Sequence, residues 1–316
     1  MSVPVDPAVA RVVGAGGAQI PSLLAAVETR LAVAAGGHGA TLATHAGATI
    51  AAGGKRLRPL LVLIVAGTES DALVRAAAAV ELVHAATLVH DDVLDAAALR
   101  RGRPTVVAEA GRPMATATGD LLFSRAFAEL ALNGDAEQIR ALSRASSALA
   151  RGELLQREDT HDATISVDRY LLRCELKTAA LFEAACELGA LVAGRDVAPL
   201  AAFGRRVGLA FQLLDDVLDV SGPPSRTGKH RGTDLLDGTV TLPFILARRR
   251  DPALPIRIST PEEAEAVCSR IARTGALDEA RARALAIVEE AKDQLPDLPQ
   301  RRALELVADG VVERYS

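Results

Sequence analysis

Two short stretches of the sequence each carry three aspartates at helical spacing. Residues 91–95 read DDVLD, and the same five letters return at residues 215–219, in the other half of the chain. On a helix, positions i, i+3 and i+4 share one face, so each stretch stacks like charges that repel one another. Such a stack is costly unless a cation occupies it, and oxygen ligands suit a hard ion such as Mg²⁺, which bridges carboxylates to substrate phosphates. The two stretches therefore predict magnesium sites.

Basic side chains are clustered as well, although the net charge of the chain is −4. The clusters lie at residues 53–59 (GGKRLRP), 100–105 (RRGRPT) and 228–231 (GKHR). The negative net charge does not indicate a nucleic-acid partner, so local clusters point to small anionic ligands. Taken alone, the GGKRLRP stretch is equally typical of an ordinary loop between two helices.

Three further side chains need an interpretation. His84 lies seven residues before Asp91, which places it two turns away on the same helical face and predicts a ligand contact. His90 lacks that alignment, and we expect it to be structural. Lys177 stands among Ala, Leu and Phe, where it either reaches the surface or points at an anion; the sequence leaves both possibilities open.

The elements that must position these residues are predicted to be helices. Ala, Leu and Val dominate a composition that is 49% hydrophobic and only 3% aromatic, and Ala and Leu are strong helix formers. No useful strand alternation is found, so the fold class is all-α. The matched motifs favour a single domain over residues 1–316, with a loose N-terminal arm at 1–20. The predicted helices cover residues 21–35, 41–51, 75–95, 114–132, 135–156 and 196–220, a helix capped by Ser166, and two or three closing helices within 261–313.

The cysteines and the apolar runs indicate the cellular compartment of the protein. Cys174, Cys186 and Cys268 show no metal-ligand spacing, and an odd count with wide gaps is typical of a reducing cytosol. No signal peptide is recognised. The longest apolar run, Leu60–Ala66, is too short to span a bilayer, so we expect a cytoplasmic protein without a transmembrane segment.

Together these features predict a reaction type. Carboxylate-bound metal ions would hold a diphosphate, Lys and Arg would hold its remaining oxygens, and charge developing on the leaving diphosphate would be neutralised. The surrounding Ala, Val and Leu would form a dry cavity for a hydrocarbon chain. The implied reaction is loss of diphosphate from an allylic carbon, followed by attack on the carbocation by the double bond of a second substrate.

With these motifs in this order, the sequence resembles the trans-polyprenyl diphosphate synthase family. The resemblance covers roughly residues 50–250. It is carried by GGKRLRP at 53–59, HAATLVHDDVLD at 84–95, RRGRPT at 100–105, KTAALF at 177–182, FQLLDDVLD at 211–219 and GKHRGTDL at 228–235. The family implies a single-domain helical bundle around a central cavity, usually a homodimer.

The resemblance also implies roles for matching positions. The substrates would be isopentenyl diphosphate and an allylic prenyl diphosphate, with Mg²⁺ as cofactor. The implied metal ligands are Asp91, Asp92, Asp95, Asp215, Asp216 and Asp219. The implied contacts to the allylic substrate are Arg100, Lys177, Thr178, Gln212 and Lys229. The implied contacts to isopentenyl diphosphate are Lys55, Arg58, His84 and Arg101. Catalysis would rest on Asp91, Asp92, Asp95, Lys177 and Asp215, and the released diphosphate would take the final proton.

The sequence departs from the family pattern in two places. Residues 96–98 are all alanine, where relatives often carry polar or acidic side chains. Thr233 and Thr239 stand at positions where Lys is common, which puts the affinity for the second substrate or the closing of that loop in question.

Product length should depend on side chains just upstream of the first acidic stretch. Ala86 and Thr87 lie four to five residues before Asp91 and are directed back along the helix. Short-chain members of the family tend to carry bulky aromatics there. Because each turn rises about 5.4 Å, comparable to one isoprene unit, small residues along several turns predict a product of about C30 or longer. The same small residues could instead serve close helix packing.

Four alternatives remain. A short- or medium-chain (C15–C20) synthase would carry out the same reaction with a shallower cavity. A terpene cyclase would need no GGKRLRP stretch and would line its cavity with aromatics, which are scarce here. A non-catalytic regulatory subunit of a heteromeric synthase would be expected to lose one DDVLD stretch, and both are present. A generic helical bundle does not explain six motifs in family order.

Overall fold

The computed structural model describes residues 7–100, 102–222 and 231–313. The first helices are α1 (Pro7–Gly16), α2 (Ile20–Ala35), α3 (Ala40–Ala51), α4 (Leu57–Ala66) and α5 (Asp71–Leu94). A two-residue antiparallel pair, β1 (Leu99–Arg100) and β2 (Arg103–Pro104), follows α5. The later helices are α6 (Val106–Ala131), α7 (Ala136–Glu158), α8 (Val167–Cys174), α9 (Ala180–Val192), α10 (Val197–Ser221), α11 (Thr233–Leu236), α12 (Leu242–Arg250), α13 (Pro261–Arg273), α14 (Ala276–Asp293) and α15 (Arg301–Glu313). The all-α prediction is confirmed.

The chain forms two compact units, each assembled from three segments. Unit 1 comprises Met1–Ser146, Leu181–Gly204 and Leu295–Val307, and unit 2 comprises Ser147–Ala180, Arg205–Gln294 and Ala308–Ser316. The first acidic stretch belongs to unit 1 and the second to unit 2. The single domain expected from the sequence stays a prediction.

Helix α5 forms the centre of unit 1, where it packs against α2, α4 and α6. The hydroxyl of Ser70 caps its N-terminus by accepting a hydrogen bond from the Leu73 amide at 3.1 Å, and the small side chains of residues 76–79 are fully buried. Small residues let α6 come close: a Cβ at Gly119 would lie only 2.2 Å from Nε2 of His90. The His90 ring stacks on Phe123 at 5.7 Å, in line with the structural role expected for it.

Unit 2 contains a π-helical turn between α8 and α9. The turn covers Glu175–Ala179, and it adds a residue to the helical path just where the KT pair lies. The backbone of α7 approaches it closely, because a Cβ at Gly152 would lie 2.6 Å from the Lys177 amide nitrogen. Such π turns inside helices are frequent at functional sites.

Several predicted boundaries differ from those in the structure. The arm expected to be loose at residues 1–20 contains helix α1, and α2 begins at Ile20. Helix α5 begins four residues earlier than predicted. Helix α6 begins at Val106 because the Thr105 hydroxyl accepts from the Ala108 amide, and the helix passes through a kink at Gly111 (φ 79°). Glycine accommodates this positive φ without the steric cost of a Cβ.

One helix among the described residues, α5, is long and apolar enough to be tested as a membrane span. Two thirds of its most apolar window (67%) is buried inside the protein, which is the behaviour of a core helix. Helices α1 and α2 would pass the same test only as a pair bent by 111°. By composition and burial, α5 serves the core of unit 1.

Candidate active site

The first acidic stretch closes α5 in unit 1. Asp91 is half-buried, Asp92 is buried and Asp95 is exposed. The amide of Asp95 donates to the Asp91 carbonyl at 2.8 Å, so Asp95 is the C-cap of the helix. The C-terminal end of a helix carries partial negative charge. Three carboxylates at that end therefore create an environment that a cation stabilises.

Arg100 partly neutralises this stretch. Its Nε and Nη2 each lie 2.8 Å from Oδ1 of the buried Asp92. The strand pair that carries Arg100 is anchored by Thr105, whose amide donates to the Ala98 carbonyl and whose hydroxyl donates to the Ala97 carbonyl. Arg100 thus holds the buried aspartate of the first stretch within unit 1.

The GGKRLRP loop separates its three cations by environment. Lys55 is exposed. Arg56 is held by Glu28 and Glu81 at 2.5 and 2.6 Å. The guanidinium of Arg58 lies 4.6 Å from the centre of the Phe182 ring, a favourable cation–π geometry. Burial lowers the pKa of Arg58 to about 10, and the carboxylate of Glu81 opposes that shift.

Arg58 keeps hydrogen-bonding capacity. Its Nε is buried, and no acceptor within the described chain satisfies it. A buried unsatisfied donor is costly, so a phosphate oxygen reaching this guanidinium would be favourable. His84, on α5, is half-buried and lies one turn after Glu81.

The second acidic stretch closes α10 in unit 2, and its carboxylates have clear partners. The Tyr170 hydroxyl donates to Oδ2 of Asp216 at 2.6 Å, and Nε2 of Gln212 donates to Oδ1 at 2.7 Å. The amides of Thr233 and Asp234, at the start of α11, donate to the two oxygens of Asp219 at 3.2 Å each. Asp215 is half-buried. As in the first stretch, the second aspartate is the buried one.

Two carboxyl groups of this cluster have raised pKa values. Burial raises the pKa of Asp216 to about 7, although hydrogen bonds from Tyr170 and Gln212 and the charge of Arg173 oppose the shift. Burial also raises the pKa of Asp234 well above its ordinary value, and repulsion from the carboxylates of Asp219, Asp216 and Asp215 adds to it. A divalent cation would relieve this repulsion, so the chemistry of the donor set suits one.

The described residues do not form a ready-made metal site. No three of their His, Cys, Asp or Glu side chains are grouped so that they could hold an ion by themselves. A hard ion that retains water and bridges a few carboxylates to phosphate does not require such a cage. The donors therefore fit an ion that arrives with a phosphorylated substrate better than a resident structural metal.

The KT pair lies on the π-helical turn of unit 2. Lys177 forms an ion pair with Glu153 of α7, so its ammonium is paired within the unit. The Thr178 hydroxyl donates to Oε1 of Gln212 at 2.6 Å, which connects the turn to α10. The carboxylate of Glu153 supplies the anion that the sequence left open for Lys177.

The remaining predicted residues have varied positions. Ala86 is fully buried, and the half-buried Thr87 donates its hydroxyl to the His84 carbonyl at 2.8 Å. Arg101 and Lys229 lie outside the described residues.

Sequence reasoning missed four acidic or phenolic partners. They are Glu81, Glu153, Tyr170 and Asp234. A signal existed for two of them: Glu81 is an isolated acid in a run of Ala, Val and Leu, and Tyr170 is one of only two tyrosines, two helical turns before Lys177. Their partners, however, are distant in sequence and could not be named.

Comparison with known proteins identifies the family of this chain. The sequence profile of the family described as Polyprenyl synthetase matches residues 40–274. The chain is similar to heptaprenyl diphosphate synthase component 2 of Geobacillus stearothermophilus, with 39% identity over 90% of this chain and 93% of that protein. It is also 36% identical to geranylgeranyl diphosphate synthase of Methanosarcina mazei, over 83% and 86% of the two chains.

A solved structure extends the similarity to the fold. A polyprenyl synthase from Caulobacter crescentus, complexed with calcium and isoprenyl diphosphate, superposes with a TM-score of 0.90 and 36% identity over 98% of each chain. The family profile covers most of the chain, and the similarity to these relatives extends over nearly its whole length. The chain therefore belongs to the polyprenyl synthetase family, the trans-polyprenyl diphosphate synthases, and is a prenyltransferase.

Proposed function

We propose that this chain condenses isopentenyl diphosphate with an allylic prenyl diphosphate and releases a trans-polyprenyl diphosphate. The product is of long chain, about C30 or longer, if the small residues of α5 leave room for one isoprene unit per helical turn of about 5.4 Å. The observation that carries the proposal lies in unit 2. Residues from two separate motifs, Thr178 of KTAALF and Gln212 and Asp216 of FQLLDDVLD, form one continuous hydrogen-bonded chain. A protein that had lost this activity would not need these three polar side chains to be hydrogen-bonded to one another.

The acidic stretches would hold Mg²⁺ in this reaction. The candidate ligands are the six aspartates Asp91, Asp92, Asp95, Asp215, Asp216 and Asp219, because carboxylate oxygens suit a hard ion that bridges to substrate phosphate. The hydrogen bonds from Arg100 to Asp92 and from Tyr170 and Gln212 to Asp216 would orient the two stretches. Bound Mg²⁺ supplies charge neutralisation to the departing diphosphate.

The other residues bind and orient the substrates. Lys177, kept in place by Glu153, and Arg100, beside Asp92, would contact the allylic diphosphate, together with Lys229. Thr178 and Gln212 would also contact the allylic substrate, in the orientation that their hydrogen bonds fix. Lys55, Arg58, His84 and Arg101 would bind the diphosphate of the second substrate. The final proton would go to the released diphosphate, so no protein base is assigned.

The name of one relative favours a second candidate. The similarity to a protein named component 2 of a heptaprenyl synthase supports a chain that acts with a partner subunit. The proposal here is a homodimer that is active alone and located in the cytoplasm. Light scattering on the purified chain measures its oligomeric state, and a monomer would contradict that part.

The reaction itself is tested with purified full-length protein. It is incubated with Mg²⁺, labelled isopentenyl diphosphate and C5, C10, C15 or C20 primers in turn, and the products are separated by chain length. We expect incorporation of labelled isopentenyl diphosphate that stops on addition of EDTA. The products should be about C30 or longer, because one turn of α5, about 5.4 Å, accommodates one isoprene unit. Products of C15–C20 would replace the long-chain assignment, and no incorporation with any primer would overturn the proposal that the chain alone is the enzyme.

A further inference from the structure

Arg56, the second cation of the GGKRLRP loop, has a strained backbone and a guanidinium that donates several hydrogen bonds. Its φ of 48° and ψ of 35° are left-handed values, which are sterically unfavourable for a residue with a Cβ. The guanidinium donates to both oxygens of Glu28, at 2.5 and 3.1 Å, to Glu81 at 2.6 Å and to the Ile50 carbonyl at 2.9 Å. Its side chain is only 13% exposed. The strain persists because these bonds fix the residue.

We infer that Arg56 is a positioning residue: held by Glu81 of α5 and Glu28 of α2, it fixes the loop so that Lys55 and Arg58 can bind the diphosphate of isopentenyl diphosphate. The inference rests on the proposed function. The donors of Arg56 already have acceptors within unit 1, whereas the buried Nε of Arg58 has none among the described residues. Arg56 would therefore act on substrate binding without contacting substrate.

Glu81 connects this loop to the rest of the proposed site. Its side chain is 6% exposed, and a buried carboxylate requires a paired cation. Arg56 supplies that cation, and the same carboxylate favours the charged form of Arg58. Glu81 also precedes His84 by one turn of α5. One buried acid thus bonds Arg56 and favours the charged form of Arg58, two of the three cations of the loop.

Arginine is required here by geometry. The planar guanidinium offers five donors in a fixed fork, and it bonds two carboxylates and one carbonyl at once. Lysine would carry the charge from a single ammonium and could not span all three acceptors. Arg56→Lys should therefore keep the buried pair with Glu81 but loosen the loop.

A matched ion pair in the same unit provides a control. Arg30 lies on α2, as Glu28 does, and its Nε is 2.5 Å from the carboxylate of Glu129, which is 2% exposed. This pair also joins a partly buried arginine to a buried glutamate, but it lies outside the proposed substrate residues. A purely structural role for Arg56 predicts that Arg56→Met and Arg30→Met behave alike.

The test compares binding of the two substrates in Arg56→Met, Arg56→Lys, Arg30→Met and the double variant Arg56→Met/Glu81→Gln. KM is measured for isopentenyl diphosphate and for the allylic primer, the Kd of isopentenyl diphosphate is measured by equilibrium dialysis with Mg²⁺, and Tm is recorded. We expect Arg56→Met to raise KM and Kd for isopentenyl diphosphate about tenfold or more, with primer KM changed less than about twofold. Arg56→Lys should be intermediate, and Arg30→Met should lower Tm without changing the ratio of the two KM values.

The double variant separates folding from positioning. Replacing Glu81 together with Arg56 leaves no buried carboxylate without its cation, so Tm should recover in part while the affinity for isopentenyl diphosphate stays low. Affinity for isopentenyl diphosphate within about twofold of wild type in Arg56→Met, or an equal loss for both substrates, would overturn the inference. If Arg56→Met does not fold, Arg56→Lys and the double variant decide by the same criteria. Absence of turnover in the wild type would instead refute the proposed function, and the dialysis measurement would still test the inference.

Discussion

The hydroxyl of Tyr170 lies 2.6 Å from Oδ2 of Asp216 and donates to it. Gln212 donates to the other oxygen of the same carboxylate and accepts from Thr178. Because both polar atoms of the Gln212 amide are engaged, its orientation is fixed. Helix α8, the second acidic stretch and the KT turn are thereby linked within unit 2 by one series of hydrogen bonds.

Tyr170→Phe should loosen this series at its buried end. Loss of a hydrogen bond to a buried, ionisable group costs about 1–3 kcal/mol of unfolding free energy. Removing a residue that orients a metal ligand typically costs about 10–100-fold in metal affinity or activity, so the Mg²⁺ concentration for half-maximal rate should rise by about that factor. Denaturant titration and a Mg²⁺ titration of the initial rate measure the two effects. Unchanged values in both would show that the bond has no role.

The raised pKa of Asp216 predicts a pH dependence of stability in EDTA. Its ordinary pKa is 3.8 and its folded value is about 7, so the folded protein holds this proton more tightly than the unfolded chain. The associated stability is fully present below about pH 4 and is lost as the pH rises through about 7, up to about 4 kcal/mol for a shift of roughly three units. The amide side chain of Asp216→Asn does not ionise, so this variant lacks that pH dependence.

Unfolding free energies of wild type and Asp216→Asn, measured from pH 4 to 8 in EDTA, test this sign. We expect the difference between the two proteins to move in favour of Asp216→Asn as the pH rises. A difference that stays constant across the range would contradict the assignment of the titrating group to Asp216.

The sequence was sufficient to predict where the acidic stretches lie. Both end long helices rich in Ala, Leu and Val, and such helices are recognisable from propensity and periodicity. The same reasoning found α2, α3, α7 and α10 to within a few residues. It placed the starts of α5 and α6 too late, since capping by Ser70 and Thr105 extends both helices toward their N-termini.

What sequence could not predict depends on contacts between distant residues. The GGKRLRP loop reads as three equivalent cations, and only its packing against Glu28 and Glu81 distinguishes Arg56 from Arg58. The π turn at Glu175–Ala179 leaves no periodicity signal, because one extra residue in a helix does not alter a short apolar pattern. Lys177 pairs with Glu153, which lies 24 residues away in the sequence. The sequence alone therefore leaves the environment of Lys177 open.

Gly152→Ala tests the close approach of α7 to the π turn. The added Cβ would lie 2.6 Å from the Lys177 amide nitrogen and 2.9 Å from its Cα, so backbone must move. Overpacking of this kind costs about 1–3 kcal/mol, and KM for the allylic primer should rise because Lys177 is displaced. Gly47→Ala is the control: it lies in α3 with nothing within 4 Å of the added Cβ, so it should be neutral or stabilising by up to about 1 kcal/mol. Equal effects of the two substitutions on Tm would exclude the steric explanation.

Asp91→Ala removes a proposed metal ligand from the first acidic stretch. Losing about 4 kcal/mol of transition-state stabilisation corresponds to roughly a 10³-fold fall in rate. Initial rates at saturating Mg²⁺ measure it, with Asp120→Ala as control, because that carboxylate is 68% exposed on α6. Near-normal turnover in Asp91→Ala would refute the metal-binding assignment.

Ala86→Phe tests whether α5 sets product length. Ala86 is fully buried, so a phenyl ring there must enter space used by the growing chain or displace neighbouring helices, at about 1–3 kcal/mol. We expect shorter products, resolved by chromatography, with Thr87→Phe giving the same direction from a half-buried position. Ala85→Phe is the matched control, since consecutive helical residues are about 100° apart and Ala85 faces another direction. If Ala86→Phe and Thr87→Phe fold and their products keep the wild-type length, the small residues of α5 serve packing and the limit to chain growth lies elsewhere.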